Sequence, residues 1–106
     1  MDGIKVLIVD DEQDFRETLV KRLLKRRFSI QGAENGQRAL EIIENEPVDV
    51  VVLDVLMPGL NGIETLREIK KNKPLIEVIM LTGHASLESG LEGMKIGAFD
   101  YIMKPT

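Results

Sequence analysis

Short apolar runs alternate with helically spaced apolar stripes along this chain. Ile4-Lys5-Val6-Leu7-Ile8-Val9 ends in Asp10-Asp11, and the unbroken run Val50 to Leu53 ends in Asp54. Aliphatic and β-branched runs of this length predict strands buried on both faces, as in the middle of a parallel sheet. Between them Phe15, Leu19, Val20, Leu23 and Leu24 recur at helical spacing, with Asp14 as the expected N-cap. Lys21, Arg22, Lys25, Arg26 and Arg27 fill the end of that helix, where cations complement its dipole. Phe28 to Ala33 reads as a shorter, more polar edge strand, and Arg38 to Glu44 as a helix with Ala39, Leu40 and Ile43 inward. Pro47 stops it. Asn61-Gly62 opens a third helix, with Ile63, Leu66 and Ile69 on one face, and Pro74 closes that segment. Glu77 to Thr82 is a fourth strand. Gly83-His84 leads into a helix whose expected stripe is Leu87, Leu91 and Met94. Gly90 and Gly93 inside it cost about 1 kcal/mol each relative to Ala, so it should be the least stable helix. Gly97 caps it, and Asp100 to Met103 is a last strand leading to Lys104-Pro105-Thr106.

Strand and helix alternate strictly, with short loops. That pattern predicts one α/β domain: a doubly wound, five-stranded parallel sheet with helices on both faces, in the flavodoxin-like order 2-1-3-4-5. The chain has 106 residues, which suits one domain, and no cysteine, which removes disulfides and thiolate chemistry. With no apolar segment near ~20 residues and no signal peptide, a cytoplasmic protein without a membrane partner is expected. The formal charge of −4 gives no electrostatic reason for direct nucleic-acid contact. The basic run at residues 21–27 reads as a solvated helix end. Asp10, Asp11, Glu12 and Asp14, in contrast, crowd five positions, and that density needs a reason.

A parallel sheet puts all its carboxyl ends on one edge, where open α/β sheets bind their ligands. Asp10, Asp11, Asp54, Thr82 and Lys104 are the residues there. Any one acid could merely end its strand or start a turn. The whole set at matching strand ends argues otherwise. Clustered carboxylates bind protons or a cation, and an all-oxygen set favours a hard ion such as Mg²⁺. Lys104 can meet a phosphoryl oxygen or pair with Asp54, Thr82 can donate to the same group, and Gly83 leaves room for an anion. These parts suit phosphoryl transfer onto a carboxylate.

The chain resembles the receiver domain of bacterial two-component response regulators, the chemotaxis-regulator-like fold. The resemblance spans essentially the whole sequence. It rests on Val9-Asp10-Asp11-Glu12, Leu53-Asp54-Val55-Leu56-Met57-Pro58-Gly59-Leu60-Asn61-Gly62, Leu81-Thr82-Gly83-His84-Ala85, Gly97-Ala98-Phe99-Asp100-Tyr101 and Met103-Lys104-Pro105. It implies that Asp54 accepts a phosphoryl group from a sensor histidine kinase or phosphotransfer protein. Asp11, Asp54 and the Leu56 carbonyl would ligate Mg²⁺, with Asp10 acting through water. Lys104 would bridge Asp54 and the phosphoryl oxygens. Thr82 would swing toward the phosphate, Tyr101 would rotate inward, and the Lys104–Pro105 bond would be cis. The surface of the fourth helix and fifth strand would control an output domain or effector, and a second copy of the chain is admitted as a partner. Two segments, Thr-Gly-His-Ala and Gly-Ala-Phe-Asp-Tyr, look similar to those of receivers attached to transcription activators.

Leu56 and His84 flank the site where related domains carry polar residues that tune dephosphorylation. Leu56 cannot hydrogen-bond an attacking water, so slow loss of the phosphoryl group is expected. Receivers usually finish with a fifth helix, whereas this sequence stops at Thr106. Residues 1–106 therefore read as a receiver lacking its final helix, a fragment of a longer protein with part of one sheet face left apolar and exposed. Two other readings share the fold: a Mg²⁺-dependent phosphohydrolase with an aspartate nucleophile, and a module that binds partners without phosphorylation. The hydrolase needs an acid two residues after its nucleophile, where this chain has Leu56. The intact Asp11, Asp54, Thr82 and Lys104 argue against the third. A self-phosphorylating acceptor, not a turnover enzyme, is the expectation.

Overall fold

The computed structural model describes residues 3–55, 61–83 and 87–104. Five strands, β1 (Lys5–Val9), β2 (Ser29–Ala33), β3 (Val50–Asp54), β4 (Glu77–Thr82) and β5 (Asp100–Met103), alternate with four helices. The helices are α1 (Gln13–Leu24), α2 (Gly36–Asn45), α3 (Gly62–Asn72) and α4 (Leu87–Ile96). All strand pairs are parallel and the order is β2-β1-β3-β4-β5, as the alternation predicts. β2 is an edge strand. Among the described residues, no helix is long and apolar enough to cross a membrane.

Register and parity sort the strand side chains onto two faces. Leu7, Val9, Val51, Leu53, Val55, Val78 and Met80 join Ala39, Ile42, Ile43, Leu66 and Ile69 of α2 and α3 in one buried cluster. On the other parity Ile8 and Leu81 are buried, but Val50, Val52 and Ile79 are only half-buried and Ile102 is 52% exposed. The strand at Val50 to Leu53 is thus sealed on one face and partly open on the other, a correction to the reading of two buried faces. Arg16 of α1 lies against Gly32 on the second face. α1 contributes no fully buried residue, and Phe15, Leu19, Val20 and Leu23 are half-buried.

Two helices open on asparagine caps. Asn35 Oδ1 accepts from Arg38 N at 2.8 Å, and Asn61 Oδ1 accepts from Glu64 N at 2.9 Å while its amide donates to Glu64 Oε1 at 2.7 Å. Each asparagine oxygen satisfies one otherwise orphaned N–H of the first turn, and Glu64 holds the Asn61 side chain in place. α1 starts earlier than expected: Glu12, not Asp14, occupies its N-cap position without a side-chain cap, and Asp14 lies in the first turn. The entry is set instead by Asp10 Oδ1, which accepts from Glu12 N at 2.8 Å.

α4 reverses its expected faces. Gly90 and Gly93 are buried, whereas Leu91 is 49% and Met94 38% exposed. The side chain of Leu87 lies outside the described residues. A Cβ at Gly93 would sit 3.3 Å from Met80 Cγ and 3.4 Å from Leu66 Cδ2. The glycines let the helix backbone lie directly on β4, which the sequence pattern had counted only as a weakness. Gly97 ends the helix at φ +130, a region that favours glycine, and its N–H donates to Gly93 O at 3.0 Å.

Candidate functional site

The carboxyl edge is built from strand ends. Asp54 closes β3 opposite Leu81 of β4, and Val55 N donates to Leu81 O at 3.1 Å. α3 then begins directly against this turn: Gly62 N donates to Val55 O at 3.0 Å. A Cβ at position 62 would lie 2.5 Å from the Asp54 carbonyl oxygen and 2.6 Å from Val55 Cα. Only a glycine lets the helix start that close to the residue bearing the candidate acceptor.

Asp10, Asp54 and Lys104 continue the same strand parity and converge. Asp10 is fully buried, Asp54 is 6% exposed, and the Lys104 side chain is 13% exposed. Lys104 Nζ lies 3.0 Å from Asp10 Oδ2, 2.5 Å from Glu12 Oε1 and 3.6 Å from Asp54 Oδ2. The ammonium also stands 4.6 Å from the centroid of the Phe15 ring, within cation–π range. Burial disfavours the charged lysine, but hydrogen bonds to Glu12 and Asp10 and the charges of Asp54 and Asp10 outweigh it, so its pKa is raised. Lys104 is therefore an ammonium throughout the neutral range. β5 is tied in at the backbone, where Lys104 N donates to Thr82 O at 2.6 Å.

One carboxylate oxygen each from Asp10, Glu12 and Asp54 lies within 4.8 Å of the others. Asp10 Oδ2 is buried and meets the Lys104 ammonium as an ion pair, with no further hydrogen-bond partner among the described residues. A buried, under-satisfied carboxylate oxygen in an all-oxygen donor set fits a hard divalent cation.

The acids brought together differ from those expected. Asp11 is exposed and stands outside this group of three, while Glu12 lies within it. Strand parity accounts for this: Asp10 continues the face of Ile8 toward Asp54, and the turn at Asp10 Oδ1 brings Glu12 back to Lys104. The crowding of acids at residues 10–14 was the signal for Glu12. Gly62 closes the segment around Asp54 on which the resemblance rests, whereas nothing in the sequence pattern marked Phe15 for the site.

Thr82 is fully buried on the α4 face of the sheet, and its hydroxyl donates to Met103 Sδ at 3.3 Å. Gly83 follows, half-exposed. Tyr101 is half-buried, packs against the main core, and has its ring 3.4 Å from where a Gly90 Cβ would be. The expectations at Leu56, His84 and Pro105 fall outside the described residues.

Residues 6–106 match the family model described as the response regulator receiver domain. A putative response regulator, NtrX-like, of Rickettsia typhi is 40% identical over 107 residues, covering 99% of this chain and 22% of its own length. The regulatory protein AtoC of Escherichia coli is 38% identical over 106 residues, covering 95% of this chain and 22% of its own. The chain thus spans about a fifth of the length of these relatives. Among solved structures, the receiver domain of NtrX from Brucella abortus superposes with a TM-score of 0.90 at 34% identity, covering 95% of this chain and 86% of that one. A response regulator receiver domain from Clostridium thermocellum gives 0.91 at 38% identity, covering 98% and 84%.

Proposed function

The chain belongs to the response regulator receiver domain family, and from that premise we propose that it is a phosphorylation-controlled switch whose acceptor is Asp54. The observation that carries this reading is the nearly buried Asp54 carboxylate, placed with Lys104 at 3.6 Å and Asp10 on the same rim. A sensor kinase phosphohistidine, or a small acyl phosphate, is the donor. An Asp54 carboxylate oxygen bonds to phosphorus as the bond from phosphorus to the donor atom breaks, and the electron pair leaves on that donor. The histidine nitrogen then takes up a proton. Lys104 already carries its proton and donates to a phosphoryl oxygen without a prior ionisation step.

Asp10, Glu12 and Asp54 are the described carboxylates that would hold Mg²⁺, with Asp11 and the Leu56 carbonyl as the further candidates. When bound, the ion neutralises charge on the phosphoryl oxygens. The output is exerted through α4 and β5, where Leu91 and Met94 of α4, Phe99 in the connection and Ile102 of β5 are exposed, on an output domain, an effector or a second copy of the chain.

Incubation with acetyl phosphate and Mg²⁺ should add one phosphoryl group to the intact mass of the wild type and none to Asp54→Asn. Chelating the metal should stop the gain. An unmodified wild type, or a modified Asp54→Asn protein, overturns the reading. Continuous phosphate release in excess of protein would make the chain a phosphohydrolase instead.

A further inference from the structure

Thr82 and Met103 are register partners at the ends of β4 and β5, so their side chains project on the same face, toward α4. Asp54 and Lys104 extend the opposite parity. In this arrangement the buried Thr82 hydroxyl is spent on the Met103 thioether at 3.3 Å, while its methyl points at α4. That methyl fits because position 90 has no side chain: a Cβ there would stand 2.7 Å from Thr82 Cγ2. Two residues outside the acid cluster therefore define one rotamer of the side chain next to the site.

We propose that Met103 is a positioning residue which parks the Thr82 hydroxyl at rest, with Gly90 supplying the space this rotamer needs. The proposal rests on the phosphoacceptor reading. A buried hydroxyl left without an acceptor is costly, so the resting state needs a partner for it. A thioether sulfur is a weak acceptor, whereas a phosphoryl oxygen is charged and makes hydrogen bonds roughly twice as strong as neutral ones. The sulfur thus satisfies the hydroxyl without holding it once a phosphoryl group stands on Asp54. A carbonyl in the same place would compete with the phosphoryl group. An aliphatic side chain would leave the resting hydroxyl unmet and favour the turned rotamer. Met103 is itself 39% exposed on an edge strand, so it can yield when Thr82 turns.

The test uses beryllofluoride with Mg²⁺ as the phosphoryl mimic, with affinity read by fluorine NMR titration. Met103→Leu should tighten binding and Met103→Gln should weaken it, each by about threefold, the scale of one modest hydrogen bond. Both shifts should vanish in a Thr82→Val background, where no hydroxyl remains to be parked. A purely structural role for Met103 would persist in that background. Equal shifts with and without the hydroxyl, shifts of the same sign, or no shift in either variant overturn the proposal. A wild type that takes neither beryllofluoride nor the acetyl phosphate label overturns the phosphoacceptor reading and this one together. A labelled wild type without the Thr82-dependent coupling overturns this one alone.

Discussion

The two faces of the central sheet carry different work. The face under α2, α3 and α4 is closed: Leu7, Val9, Val51, Leu53, Val78 and Met80 are all fully buried. The face under α1 is covered at β1 and opens toward β5, where Ile102 is half exposed. Yet the open face is the one whose strands end in Asp10, Asp54 and Lys104. Packing energy is concentrated on one side and charge chemistry on the rim of the other.

Adjacent residues of β4 offer the strongest test of this asymmetry. Met80→Ala, on the closed face, should lower unfolding free energy by about 3–4 kcal/mol, because the buried cavity cannot collapse. Ile79→Ala, one residue away and half-buried, should cost about 1 kcal/mol. Equal losses in urea titrations would abolish the distinction. Next in size, Gly62→Ala should cost about 2–3 kcal/mol by forcing α3 away from the Asp54 carbonyl. It should also slow labelling by acetyl phosphate, which a loss confined to stability would not do.

Lys104 sharpens the comparison through pH. Its folded pKa is raised, so the stability it adds is fully present below the ordinary lysine value of about 10.4 and fades only as pH climbs through the higher folded value. The difference in Tm between wild type and Lys104→Met should hold steady across neutral pH and narrow only in strong alkali. A difference that already narrows near neutrality would refute the ion-pair account. The smallest effect belongs to Ile102→Ser on the open face, expected within about 0.5 kcal/mol. A large loss there would mean that the exposed edge is packed in solution.

Strand positions and order were legible because each strand is an isolated apolar run ending in a polar residue. Asp54, Asp10 and Lys104 were legible for the same reason, since strand ends in a parallel sheet share an edge. Glycines defeated the pattern. Gly90 and Gly93 carry no hydrophobic signal, so the helical spacing points to Leu91 and Met94, which are exposed, as the inner stripe of α4. Glu12 was hidden by a turn: its place at Lys104 depends on a hydrogen bond to Asp10 that no periodicity encodes. The Thr82–Met103 contact likewise follows from strand register, which the order of elements does not specify.

Gly62 has a consequence for genetics. It bears no side chain, yet its backbone lies against the carbonyl of Asp54, the proposed acceptor. In a saturation scan scored for signalling, position 62 would rank with Asp54 and Lys104, and a reader of that scan alone would place it in the catalytic machinery. A parallel scan scored for protein abundance would also flag position 62 while leaving Asp54 far more permissive. The two scans read together separate the proposed acceptor from the residue that makes room for it.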